Sequence, residues 1–243
     1  MLLFKSINKR SLKASSIISM LVMLGSTGSF AAERISDIAN TKHNFSTSGS
    51  GPVQATTESQ ICVFCHTPHA AEQFPKSPLW NRKLSGATYT PYTSSSIDAN
   101  DIASTPGGSS KLCLSCHDGT IAIGSVNVLN VQTDVNIAMT GTGPGGVMPS
   151  GEGVTTGFTR NLGTDLTNDH PISFTYNSAL SAADGELRDP ATTEFIGNRS
   201  PGVHPPVPLE EDKVQCTSCH DPHIRDVDVT KNIKFLRLNR FQE

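Results

Sequence analysis

Three times this chain writes Cys-x-x-Cys-His: C-V-F-C-H at 62–66, C-L-S-C-H at 113–117 and C-T-S-C-H at 216–220. Those motifs use all six cysteines of its 243 residues. The spelling is the attachment sequence of a c-type haem. Two residues between the thiols let both sulfurs reach one edge of a porphyrin as thioethers. The adjacent histidine then lies beneath the ring centre, where it can bind the iron. The expectation is three covalently attached haem c groups, held by Cys62 and Cys65, Cys113 and Cys116, and Cys216 and Cys219. His66, His117 and His220 are the expected proximal metal ligands.

Two other uses of cysteine compete with this reading. Six cysteines in an exported chain allow three disulfides. Here, however, every cysteine sits in a tight pair and every pair is followed by histidine. Structural zinc is the second rival. Zinc ribbons place their two cysteine pairs roughly 15–20 residues apart, and these pairs are far more widely separated.

The remaining composition makes sense around large cofactors. Aromatic residues are only 6% of the chain, with 20 Gly and 15 Pro, so the side chains alone offer little core. The expected fold is mostly irregular coil with short α-helices and a small β-hairpin, wrapped around a three-haem core. Alternating β-branched residues over 120–140 (Ile121, Ile123, Val126, Val128, Val131, Val135, Ile137) mark the hairpin. Residues 178–189 suit a short helix, 86–109 a surface loop, and 233–241 a docking strand or arm.

The beginning of the chain reads as an export signal. Lys5, Lys9, Arg10 and Lys13 precede a short apolar run at 17–24, and Ser29-Phe30-Ala31 offers a cleavage site. Residues 1–31 are therefore expected to be removed, leaving 32–243 as one trihaem domain. Losing those four positive charges moves the formal balance from -3 to about -7. No basic stripe accompanies aromatic residues, which argues against nucleic-acid binding. No later segment is apolar enough to span a membrane. The expected location is exported, either periplasmic or extracellular.

Histidine arithmetic narrows the second axial position. Besides the three motif histidines, the chain has His43, His69, His170, His204 and His223. Three irons need at most three more ligands. His69 and His223 each follow a motif histidine by three residues, in C-V-F-C-H-T-P-H and C-T-S-C-H-D-P-H. Held under the proximal face, neither can easily cross to the distal face of its own haem, so either would serve a neighbouring one. His170 precedes Pro171, which restrains the backbone and holds the side chain outward. Met139 and Met148 are alternative ligands that would raise the potential.

Several stretches resemble the multihaem c-type cytochromes with doubled Cys-x-x-Cys-His motifs found in metal-reducing bacteria. They are Lys-His-Asn-Phe-Ser at 42–46, C-V-F-C-H-T-P-H at 62–69, Pro-Leu-Trp-Asn-Arg at 78–82, L-C-L-S-C-H-D-G-T at 112–120, Asn-Asp-His-Pro-Ile-Ser-Phe at 168–174 and V-Q-C-T-S-C-H-D-P-H at 214–223. The resemblance implies low-spin, bis-histidine haems and electron transfer with other redox proteins. It also marks His43, His69, His170 and His223 as distal ligand candidates, four for three irons. The leading expectation is thus an electron carrier and not an enzyme. The alternatives are a haem reductase with one open iron, and a homo-oligomer or filament subunit in which one histidine serves a haem of another copy.

Overall fold

Regular structure is short and scattered, as a chain rich in Gly, Pro, Ser and Thr dictates. The computed structural model describes residues 37–72, 79–150, 161–200, 202–224 and 235–238, all within a unit spanning Arg34–Glu243. The leader expected over 1–31 lies outside the described residues. In chain order the elements are β1 (Gln54–Ala55), α1 (Gly108–His117), β2 (Ser125–Leu129), β3 (Gln132–Asn136), β4 (Met139–Thr140), β5 (Phe174–Thr175), α2 (Ser178–Asp184), β6 (Ile196–Asn198), β7 (Val207–Leu209), β8 (Lys213–Val214) and α3 (Cys216–Cys219). Among the described residues the strands form two-stranded ladders only. β1–β4, β2–β3 and β5–β8 are antiparallel, and β6–β7 is parallel.

The β2–β3 hairpin occupies the stretch of alternating β-branched residues. Val126 opposite Val135 and Val128 opposite Thr133 set its register. Asn130 and Val131 take left-handed conformations (φ 46° and 66°), as a two-residue turn between right-twisted strands requires. The helix expected over 178–189 is α2, which stops earlier. The Asn177 side chain accepts a hydrogen bond from the Leu180 amide at its start, and Gly185 (φ 80°) ends it in the left-handed conformation. The 86–109 stretch is irregular until α1 begins. At the far end, Leu236 bridges to His220 and the Arg237 amide donates to the Cys219 carbonyl (2.7 Å).

Apolar side chains gather in three small clusters. The largest joins Phe45, Val53, Phe64, Ile123, Val126, Ile137 and Met148, with Cys65 and Cys116 packed against it. The second holds Tyr89, Leu114 and Leu166, and the third Tyr176, Ile196 and Leu209. Between them, buried polar side chains replace the missing regular structure by bonding to backbone. Asn81, fully buried, donates to the carbonyls of Val63 (2.6 Å) and Val128 (2.9 Å) and accepts from the Val128 amide (2.9 Å). It ties the first Cys-x-x-Cys-His segment to β2. Among the described residues no helix is long and apolar enough to cross a membrane.

Candidate functional site

Each motif is presented by a different local device. Cys62–Phe64 is a 3-10 turn, anchored by Phe64 (1% exposed) in the largest cluster. Cys113 to His117 form the C-terminal half of α1. Cys216–Cys219 is the single turn α3. Gln215 and Ser218 cap it reciprocally, the Ser218 hydroxyl accepting from the Gln215 amide (3.0 Å). The second and third devices are clamped together. Ser109 and Thr217 share a hydrogen bond (2.6 Å), and Ser110 donates to the buried Gln215 side chain (2.7 Å). As a result the Cys113 and Cys216 thiols hydrogen-bond to each other.

The six cysteines are free thiols, so the disulfide reading has no bond behind it. A thiolate metal site would need thiols that ionise easily. Burial instead pushes the Cys65 thiol up to about 12 and raises that of Cys219. The Cys216 contact, with burial, raises Cys113 too, and Cys216 is lowered, chiefly by that same hydrogen bond. Among the described residues no group of three or more His, Cys, Asp or Glu is placed to hold a metal ion. An axial pair does not require one, because a porphyrin brings its own four nitrogens.

The histidines form three pairs. His66 faces His223 with ring centroids 6.2 Å apart, and His170 faces His220 at 6.2 Å. His43 and His117 lie 6.1 Å apart. Each pair joins one motif histidine to one outside the motifs. An imidazole nitrogen lies about 2 Å from a metal it binds, and its ring centroid about one ångström beyond, so two rings trans across one ion fall roughly 6 Å apart. All three separations fit that spacing, and the residues therefore fit a bis-histidine haem at each motif. The pairs differ in one respect. The rings are nearly parallel in His66/His223 (17°) and His170/His220 (18°), but crossed in His43/His117 (82°).

The fold explains how distant histidines arrive. Pairing of β5 with β8, with Phe174 opposite Val214, sets the loop carrying His170 beside the third motif. His43 is held by a buried network behind it. The Asn44 side chain donates to the Ala39 carbonyl (2.8 Å), and the Ser46 hydroxyl donates to Asn44 (2.7 Å). His223 follows the third motif directly, and the Asp37 amide donates to its carbonyl (2.9 Å). His69, the fourth candidate, is exposed and its ring joins none of these pairs; His204 is exposed as well. Met139 and Met148 belong to the largest apolar cluster.

Groups behind two of the rings engage Nδ1 and leave Nε2 for a metal. The Nδ1 of His223 lies 3.3 Å from the Asp221 carboxylate, and that of His170 lies 3.4 Å from the Pro171 carbonyl. Burial, reinforced by His117 and His223, drives His43 down to about 3, so it is neutral at ordinary pH. Burial alone would raise Asp221, but hydrogen bonds from His223 and the Arg237 guanidinium (2.9 Å) outweigh it and hold it near 2. Asn81, Arg82, Asp118 and Asp221 all support the site, and sequence reasoning did not single them out. The signal they left was membership of resembling strings: Asp118 and Asp221 directly follow a motif histidine, and Asn81 and Arg82 end Pro-Leu-Trp-Asn-Arg, whose Trp80 ring meets the His66 ring edge-on at 6.2 Å. Comparison with protein-family models and with curated proteins finds no match to this chain.

Proposed function

We propose that the chain is an electron carrier built on three c-type haems, each held by two histidines. The observation that carries this reading is the set of three histidine pairs at 6.1–6.2 Å, one per Cys-x-x-Cys-His motif. When bound, each haem supplies one reversible electron as its iron alternates between ferric and ferrous. The protein's part is to hold, space and insulate. Its cysteines would fix the groups covalently, and each pair of histidines would hold an iron between its rings, leaving no place for a substrate.

Spacing also supports transfer between the groups. The Cys113 and Cys216 thiols touch, so the attachment points of the second and third haems adjoin. Cys65 and Cys116 pack on the same apolar cluster, which brings the first and second together. The partners would be a reduced donor protein and an oxidised acceptor protein, in the periplasm or outside the cell. The filament alternative needs a motif histidine whose partner comes from another copy. Here each motif histidine meets one within its own chain, which favours the carrier.

The test is the absorption spectrum of the reduced, haem-loaded protein with and without carbon monoxide. An unchanged spectrum is expected, because six-coordinate iron leaves no place for the gas. A carbon monoxide shift in the unaltered protein would reveal an open iron and move the reductase alternative to first place.

A further inference from the structure

We infer that two buried charges without counter-ions, Arg82 and Asp118, set the haem of the first motif above that of the second in reduction potential. The inference rests on the three-haem reading. It concerns residues that bind neither iron nor porphyrin sulfur, and therefore act as tuning groups.

Arg82 is 1% exposed. Its Nη1 donates to the Ile123 carbonyl (2.5 Å) and its Nη2 to the Ala122 carbonyl (2.8 Å), while Nε is buried without a hydrogen-bond partner. Both acceptors are neutral, and among the described residues no carboxylate pairs with the guanidinium. Its place is fixed beside the first motif. The neighbouring Asn81 amide donates to the Cys65 carbonyl (2.9 Å), and the Arg82 charge acts directly on the Cys65 thiol. A buried cation left unneutralised is costly, and one partner charge would be the ordinary remedy.

Asp118 is the opposite case. It follows His117 directly and is 4% exposed. Its carboxylate accepts from the Tyr89 hydroxyl (2.7 Å), the Thr120 amide (2.8 Å) and the Thr120 hydroxyl (2.8 Å). All three donors are neutral, and among the described residues no cation pairs with it. Gly119 makes the turn possible. Its φ of 69° is closed to proline, so the Pro-His continuation of the other two motifs cannot be written here.

The electrostatic consequence has a definite sign. Reducing a bis-imidazole haem removes one positive charge from the iron centre. A fixed cation nearby favours the ferrous form and raises the potential, and a fixed anion favours the ferric form and lowers it. In a poorly screened interior such effects are far larger than in water. Arg82 acts on the first haem and Asp118 on the second. An electron reaching the second haem therefore runs downhill to the first.

The crossed ring pair makes the test specific. Parallel axial rings split the two iron orbitals that overlap their π systems and give a three-line rhombic EPR spectrum. Crossed rings leave those orbitals nearly equal in energy and give a single low-field line. Only the His43/His117 iron should show the low-field line, which marks the second haem. Potentiometric titration followed by EPR, on the haem-loaded protein, is then informative. In Arg82→Gln one rhombic component should move to lower potential while the low-field line stays. Arg82→Lys should restore it. In Asp118→Asn the low-field line should move to higher potential. Equal shifts in Arg82→Gln and Arg82→Lys would overturn the charge argument, as would unchanged potentials in Arg82→Gln and Asp118→Asn. If Arg82→Gln does not retain three haems, the isosteric Asp118→Asn decides alone. Failure of the three-haem reading shows separately, as fewer than three haems in a pyridine haemochrome assay of the unaltered protein.

Discussion

The segments 62–69 and 216–223 are spelled almost alike and end differently. Both read Cys-x-x-Cys-His-x-Pro-His. The last histidine of the second copy, His223, faces His66 of the first. The last histidine of the first copy, His69, is exposed and joins none of the three histidine pairs. Their surroundings account for the difference. His223 is held from behind by Asp221, which is in turn held by Arg237 arriving from 235–238, and its carbonyl is tied to Asp37. Around His69 the hydrogen bonds are local, with the Thr67 hydroxyl donating to its carbonyl (3.0 Å). A histidine is thus placed by the groups that aim it as much as by the motif that carries it.

The sharpest way to break that comparison is to remove each histidine in turn. His223→Ala should open one of three irons, giving a carbon monoxide shift and a high-spin ferric component for about a third of the haem, by the stoichiometry of one ligand per iron. His69→Ala should leave both measurements unchanged. Equal effects from the two variants would dissolve the distinction.

The anchors of the two segments come next. Asn81→Ala strips three hydrogen bonds from buried backbone around the first segment, and should cost about 3 kcal/mol in a denaturant titration. Carbon monoxide should still find no open iron in the fraction that remains folded. Arg237→Met removes the guanidinium that holds Asp221, and should cost about 2 kcal/mol, less than a wholly buried pair because Asp221 keeps some contact with solvent.

Acid should separate the segments by a smaller margin. Asp221 is held near 2 against an ordinary 3.8. The folded state therefore releases this proton more readily than the unfolded chain does. The stabilisation is complete above pH 3.8 and fades as the pH falls from there towards 2. Acid unfolding monitored by haem absorbance should show this loss in full in the unaltered protein and in smaller part in Arg237→Met, where His223 still holds Asp221. An identical acid limb in both would mean that the ion pair contributes nothing.

Much of this was legible in the sequence because it is chemical and local. The three motifs, the tight pairing of every cysteine and the short list of spare histidines all follow from residue type and spacing. The β2–β3 hairpin was legible too, since β-branched alternation is a local signal. The pairing of histidines was not, because His66 and His223 meet through contacts that spacing does not encode. Arg82 and Asp118 escaped for another reason. Charged residues in a Gly- and Pro-rich chain read as solvated, and only the structure reveals that backbone carbonyls and hydroxyls have drawn them inside. Among the motifs, Asn81 was quoted merely as part of a resembling string, with nothing to distinguish it from a surface asparagine.

The meeting of His66 with His223 also bears on the order of assembly. The two residues lie far apart in the sequence, so segment 62–66 is made long before the ring it meets. On the three-haem reading proposed above, a group carried by the first motif would wait with one side unfilled until the chain has been made through His223. On that reading the first iron would report that the chain extends through His223. A chain ending before His223 should bind carbon monoxide at one haem, even where all three are covalently attached, and addition of the missing segment in the full-length chain should abolish that binding.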